Sequence, residues 1–315
     1  MAVELSVVIP VLNEEENLPE LYRRLTAVVP GSVGSYEIVF VDDGSTDTSW
    51  ALIANLAASD SHVRGVSFSR NFGHQMAFSA GLDHAAGEAV VIMDADLQDS
   101  PELIPALVAR WREGYDVVYA VRAKRAGETI FKKVTAAGFY RLLHRITRIK
   151  IPIDTGDFRL MGPKALAAFA RMPERHRFTR GMVAWMGFRQ IGVEYDRPAR
   201  FAGETKYTMR RMLRLASDGI MSFSYQPLQV ASWLGGAVLV ASLGVLATLL
   251  GRGVLGLGWS RMLALIAAMT FLGGAQLVAV GLLGEYVGRI LDESKHRPLY
   301  LVQDTVGDPV TASRR

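Results

Sequence analysis

Two charge-free apolar runs near the C-terminus constrain this chain most. Leu228–Leu250 has 23 residues, Leu263–Gly284 has 22, and neither contains Asp, Glu, Lys or Arg. As helices rising 1.5 Å per residue, each would extend roughly 33 Å, enough to cross the hydrocarbon core of a bilayer. Only Gly251–Met262 separates them. The pattern predicts a membrane hairpin, with helices at about 228–250 and 262–288, attached to a long N-terminal part that would work at a membrane surface. The competing reading is a buried hairpin in a soluble protein, and two uncharged runs of this length disfavour it.

Flanking charge orients the hairpin. Its loop carries Arg252 and Arg261, whereas Lys206, Arg210, Arg211 and Arg214 precede it and Arg289, Lys295 and Arg297 follow it. By the positive-inside rule both termini face the cytoplasm, in a multi-pass protein of the inner (plasma) membrane. Trp233 and Trp259 fall where opposite interfaces would lie. The expected layout is a cytosolic domain over 1–206, a juxtamembrane segment over 207–227, the hairpin over 228–290 and a cytosolic tail over 291–315. Phe131–Arg148 and Thr208–Phe223 are amphipathic at helical period, which fits either surface helices or helices resting on anionic headgroups. Lys and Arg crowd into Arg122–Arg148 and Arg197–Arg214. Beside a hairpin, these point to an anionic membrane face rather than to nucleic acid. The chain has no Cys, which excludes disulfide and thiolate chemistry.

The first half alternates short Val/Ile-rich runs with helical stretches. Leu5–Ile9, Glu37–Val41, Val63–Ser67, Ala89–Met93 and Val117–Ala120 are predicted strands, with helices such as Asn17–Val28 and Thr48–Ala58 between them. Continuous apolar strands in a βαβ rhythm imply an α/β domain with a Rossmann-like parallel sheet, whose ligands bind in the loops after the strands. The polar residues cluster in those loops: Asn13 to Asn17, Asp42 to Asp47, Ser69 to Gln75 and Asp94 to Asp99. Any one of these could be helix capping; four on one edge point to a polar ligand site.

Asp94-Ala95-Asp96 follows the apolar strand Val90-Val91-Ile92-Met93. Carboxylates at i and i+2 on extended chain point the same way, and with Gln98 nearby they can hold Mg²⁺ or Mn²⁺ while leaving sites for phosphate oxygens. His74 and His176 have no metal-ligand spacing and read as ordinary.

The motifs Val7-Val8-Ile9-Pro10-Val11-Leu12-Asn13-Glu14, Val41-Asp42-Asp43-Gly44-Ser45-Thr46-Asp47, Asp94-Ala95-Asp96-Leu97-Gln98 and Gly156-Asp157-Phe158-Arg159-Leu160 together resemble glycosyltransferase family 2 with its GT-A fold. With the C-terminal hairpin, they resemble its bacterial polyprenyl-phosphate glycosyltransferases, relatives of dolichol-phosphate mannose synthase. The resemblance implies inverting transfer of one sugar from a nucleotide-sugar to the phosphate of a membrane polyprenol, undecaprenyl phosphate. It places Pro10, Leu12, Glu14, Asp42 and Asp43 in the nucleoside pocket, with Arg70, Asn71 and Gln75 beside it. It places Asp94 on ribose or metal, and Asp96 and Gln98 on the metal that neutralises the leaving diphosphate. Arg122, Lys132, Lys133, Arg200 and Lys206 match positions that clamp the lipid phosphate. Asp157 matches the family's catalytic base, although a phosphate monoester with a second pKa of about 6 needs little proton abstraction.

Processive relatives carry Gln-x-x-Arg-Trp, whereas Arg180-Gly181-Met182-Val183-Ala184-Trp185 retains only the Trp, so single transfer is favoured over polymer synthesis. The resemblance tilts the donor to a UDP-sugar, first UDP-glucose, with GDP-mannose as an alternative, and implies a homotetramer. A non-catalytic membrane scaffold is the alternative from another class; the intact Asp94, Asp96 and Asp157 argue against it.

Overall fold

The computed structural model describes residues 3–122, 155–196 and 261–307, together with Ala237, Val240, Gly244 and Thr248. The chain divides into two units, one of Met1–Leu215 with Arg297–Arg315 and one of Ala216–His296.

The first unit is built on an eight-stranded sheet. Its strands are β1 (Leu5–Val11), β2 (Tyr36–Asp42), β3 (Val63–Phe68), β4 (Ala89–Ile92), β5 (Val117–Arg122), β6 (Thr155–Met161), β7 (Gln190–Tyr195) and β8 (Val302–Val306). Their order is β7-β5-β6-β4-β1-β2-β3-β8. All five expected strands form. β1, β2 and β4 are buried at nearly every position, which is why they read as unbroken apolar runs.

The five expected strands run in one direction, as a parallel sheet requires, but further strands make the sheet mixed. β4, β1, β2 and β3 are mutually parallel, as are β5 and β7, but β6 runs antiparallel to β4 and β5, and β8 runs antiparallel to β3. The reversal of β6 has a chemical consequence. An antiparallel strand begins beside the C-terminal ends of its neighbours, so the start of β6 reaches the edge where ligands of parallel sheets bind. Ile92 of β4 pairs with Arg159 of β6. Two residues beyond that pair, on either strand, stand Asp94 and Asp157.

Helices α1 (Leu18–Val28), α2 (Ser49–Ser59), α3 (His74–His84) and α4 (Ile104–Arg112) follow the first four strands, and α5 (Pro163–Ala170) and α6 (Thr179–Trp185) lie between β6 and β7. Leu18, Leu21 and Leu25 put one face of α1 into the core, at spacings of three and four. Helix α3 crosses β1 so closely that a Cβ on Gly81 would collide with the Val8 side chain.

The second unit contains α7 (Arg261–Ser294), of which Phe271–Ser294 is long and apolar enough to span a membrane by length and composition. Phe271, Leu277, Val280, Leu283, Val287 and Ile290 are exposed on it. It is the one such helix among the described residues. The expected helix at 228–250 lies outside them except for Ala237, Val240, Gly244 and Thr248, which are helical. The amphipathic segments Phe131–Arg148 and Thr208–Phe223 lie outside the described residues, as do Trp233 and Trp259. After α7 the chain returns to the first unit, where Leu301 accepts a hydrogen bond from the Ser69 amide at 3.0 Å and β8 closes the β3 edge.

Filling the α3–β1 contact tests this packing. Gly81→Ala forces the helix away from β1, and overpacking of this kind costs about 1–3 kcal/mol. The expected result is a lower melting temperature of the detergent-solubilised protein with unchanged secondary-structure content by circular dichroism.

Candidate active site

The site grows from the strand ends. The turn after β1 and the loop after β2 are laced together. The Asn13 amide donates to Ser45 Oγ at 2.9 Å, Asn13 Oδ1 accepts from the Thr46 amide at 2.8 Å, and Glu15 accepts from the Thr48 amide at 2.9 Å. Asn13 adopts φ +53°, which suits Asn better than most side chains. Pro10 is buried near the end of β1, Leu12 is half-buried in the turn, and the Glu14 carboxylate accepts from Asn17 Nδ2 at 2.6 Å.

Asp42 and Asp43 are both buried. Asp42 accepts from the Ser45 amide at 3.2 Å and from Ser67 Oγ at 3.1 Å. Asp43 Oδ1 accepts from the Phe72 amide at 2.7 Å, and Oδ2 from the Gly73 amide at 3.0 Å. Burial pushes its pKa up, against the pull of those two amides. In this geometry the Asp43 carboxylate braces the β3–α3 turn. Gly44 sits where that turn comes closest. Its φ is +71°, and a Cβ there would lie 2.6 Å from the Asn71 nitrogen. Arg70 and Asn71 are exposed on the same turn, with the Arg70 guanidinium 3.9 Å above the Phe72 ring.

The DxD turn is held from behind. Asp99 Oδ2 accepts from the Asp94 amide at 3.2 Å, and Asp99 Oδ1 accepts from the Tyr195 hydroxyl at 3.1 Å. Asp96 Oδ1 accepts from the Gln98 amide at 3.1 Å, and Leu97 turns through φ +59°. Burial raises the Tyr195 pKa to about 12, and Asp99 beside it adds to the rise. Arg122, at the end of β5, lies alongside Tyr195 and approaches Gly156, where a Cβ would meet its Nη2 at 3.3 Å. Lys132, Lys133, Arg200 and Lys206 lie outside the described residues.

Asp157 lies at the centre. Its side chain is buried, and Arg180 grips it with Nε to Oδ1 at 2.9 Å and Nη2 to Oδ2 at 3.2 Å. Arg159 Nη2 stands 3.7 Å from Oδ1. His74 Nε2 stands 3.6 Å from Asp157 Oδ2 and 3.5 Å from Asp94 Oδ1. Burial alone would raise the Asp157 pKa, but Arg180 and His74 hold it well below the usual carboxylate range. Burial would likewise lower the His74 pKa, but Asp157 and Asp94 raise it to about 9. Asp94 moves the other way. Burial raises its pKa, His74 opposes, and the like charges of Asp157 and Asp96 add to the rise.

The structure therefore brings Asp94 and Asp157 together through groups that sequence reasoning missed. His74 read as ordinary because it has no ligand spacing, and Arg180 was noted only for departing from a processive motif. A signal for His74 existed: it lies in the same strand-end loop as Arg70, Asn71 and Gln75. Arg180 has no local signal. Gln75 Oε1 accepts from the amide of Thr179 at 3.2 Å and from its hydroxyl, which ties α3 to the start of α6. Gln75 and Thr179 are the chain neighbours of His74 and Arg180.

Among the described residues, no group of three or more His, Asp or Glu side chains is arranged to hold a metal ion. Asp94 and Asp96 nevertheless suit a hard divalent cation whose remaining ligands are water and phosphate oxygens. Burial first, and then the like charges of Asp157 and Asp96, raise the Asp94 pKa, and an added cation would favour its ionised form.

The family model for glycosyl transferase family 2 matches residues 6–169. This chain belongs to glycosyltransferase family 2. The family match spans β1 through α5 and so includes Asp43, His74, Asp94, Asp96 and Asp157. The uncharacterized glycosyltransferase YkcC of Bacillus subtilis (strain 168) is 49% identical over 314 residues, covering 97% of this chain and 95% of that protein. The bactoprenol glucosyl transferase of Shigella phage SfV is 41% identical over 305 residues, covering 96% and 99%. Among solved structures, glucosyl-3-phosphoglycerate synthase of Mycobacterium tuberculosis aligns with a TM-score of 0.49 at 19% identity, covering 70% of this chain and 76% of that one.

The support behind the DxD turn is testable. Tyr195→Phe removes one hydrogen bond to Asp99, a loss of about 1 kcal/mol. A several-fold fall in glycosyl transfer is expected with a small fall in melting temperature, read by product formation and by thermal unfolding of the same preparation.

Proposed function

We propose that this glycosyltransferase transfers one sugar, with inversion, from a UDP-sugar to the phosphate of a membrane polyprenol, undecaprenyl phosphate, at the cytosolic membrane face. UDP-glucose is the first donor and GDP-mannose the alternative. The observation that carries the reading is the full-length similarity to a protein named bactoprenol glucosyl transferase, which extends through the apolar C-terminal segment.

In this reading an acceptor phosphate oxygen attacks the anomeric carbon as the bond to the donor's diphosphate breaks, and the diphosphate leaves with the electron pair. Pro10, Leu12, Glu14, Asp42, Asp43, Arg70, Asn71 and Gln75 build or brace the nucleotide side. Asp94, Asp96 and Gln98 would hold Mg²⁺ or Mn²⁺, which supplies charge neutralisation for the leaving diphosphate. Arg122, Lys132, Lys133, Arg200 and Lys206 are proposed for the acceptor phosphate, Arg as a planar fork and Lys as a point charge. Asp157 stays ionised and poorly basic under Arg180 and His74. It orients those cations, and the acceptor, already anionic near neutral pH, needs no strong base.

The membrane topology has its own argument. The chain leaves the first unit after Leu215 and re-enters it at Arg297, and β8 is hydrogen-bonded into the same sheet as β1–β7. Both ends of the intervening segment therefore lie on one side of any bilayer, and the number of crossings is even. If α7 crosses once, a second crossing must come from within 216–260, and Leu228–Leu250 is the apolar run there. With basic flanks this gives a two-pass hairpin with both termini cytoplasmic. Assembly as a homotetramer is proposed from the family resemblance.

Two experiments test these readings. Purified protein incubated with undecaprenyl phosphate, Mn²⁺ and UDP-glucose should yield a lipid heavier by one hexose in mass spectrometry, and Asp96→Ala should abolish the product while leaving the protein folded. A lipid carrying several sugars, or full activity of Asp96→Ala without metal, would refute the mechanism. For topology, the absence of Cys allows single labels without background. Ser260→Cys should react with an impermeant maleimide on intact cells, and Thr305→Cys only after lysis. Labelling of both from the same side would sink the hairpin.

A further inference from the structure

The observations at Asp94 and Asp157 carry one step beyond the glycosyl-transfer reading, on which that step rests. Asp94 belongs to the turn after β4, where the donor's diphosphate would lie. Asp157 belongs to β6, which reaches the same edge from the opposite chain direction. Two partly desolvated carboxylates there repel, and a hydrogen-bond donor between them offsets that repulsion. The His74 ring occupies that place, with Nε2 3.5 Å from Asp94 Oδ1 and 3.6 Å from Asp157 Oδ2. Both distances are those of ion pairs rather than of hydrogen bonds.

The ring is aimed by structure and not by chance packing. Gly73, at φ +107°, caps the helix that His74 begins, and the Asp43 carboxylate fixes the Gly73 amide. On the other side Gln75 binds Thr179, so the residues next in sequence to His74 and Arg180 are locked together. Nitrogen-bearing side chains from two helices are thus delivered to one carboxylate.

We infer that His74 is a positioning residue that holds the Asp94 carboxylate of the donor turn and the Asp157 carboxylate of β6 in fixed register. It acts through those two side chains rather than on the sugar. Its loss should impair the chemical step more than donor binding, and its effect should vanish when Asp157 is already neutral.

The test uses the full-length protein in detergent, with kcat for lipid-product formation and donor affinity by calorimetry measured separately. His74→Gln should lower kcat by about 100-fold with donor affinity changed less than about 3-fold, and His74→Lys should recover about 10-fold of that loss by restoring a cation. Asp157→Asn combined with His74→Gln should be no slower than the slower single variant, the mark of residues acting as a unit. Three results would overturn the inference: His74→Gln within twofold of wild type, multiplicative losses in the double variant, or loss of donor binding with His74→Gln, which would mark a purely structural role. A wild-type protein that makes no glycolipid would instead remove the functional reading beneath it.

Discussion

The buried Asp43 carboxylate fixes the β3–α3 turn, and the arrangement of the site follows from that restraint. A carboxylate taken out of water must be hydrogen-bonded or neutralised. Asp43 finds its partners in the Phe72 and Gly73 amides. The turn cannot move without stranding it. Gly44 allows the two loops to approach until their backbones touch, and a side chain there would separate them. From the fixed turn α3 starts in one direction, His74 reaches Asp94 and Asp157, and Gln75 draws α6 and Arg180 to the other side. Loops usually carry the mobility of a domain. Here the strand-end loops carry charge, and cross-bracing replaces the rigidity that strands would give.

The legible parts of the fold were those whose physics is local. β1 to β5 were readable because most of their positions are buried and Val and Ile dominate them. The DxD turn was readable because two carboxylates directly after such a strand have no packing role. β6 was not readable as a strand. Its buried Asp157 and Arg159 interrupt the apolar pattern, and its insertion between β4 and β5 brings together residues far apart in sequence. Yet β6 supplies the carboxylate that Arg180, Arg159 and His74 surround. The family motif found Asp157 while the periodicity concealed its strand. His74 and Arg180 show the same limit from the side of chemistry. They are 106 positions apart, and only the register of β6 against β4 gives them a common target.

The two central carboxylates are driven in opposite directions. Asp157 is held ionised by Arg180 and His74, whereas Asp94 is pushed up by burial, with Asp96 and Asp157 adding to the rise. Environments that separate a pair of titratable groups assign them different work. The ionised member is satisfied by the protein's own cations and has no reason to seek a proton or a metal. The other is the carboxylate that gains most when positive charge arrives. A divalent cation accompanying a diphosphate brings such charge, so binding of the donor would complete an electrostatic arrangement that the protein leaves short on one side.

The last strand turns a compositional reading of the membrane segment into a connective one. β8 has five mostly exposed residues with Asp304 among them, and nothing in so short and polar a segment announces a strand. Its partner decides the matter: β3 would otherwise present an open edge, a site for unwanted pairing. Covering that edge obliges the chain to come back from the apolar segment to the domain it left. Hydropathy alone counts candidate spans and has no way to relate them. The backbone ladder between β3 and β8 returns the chain after α7 to the sheet it left, and that connection is what the proposed even number of crossings rests on.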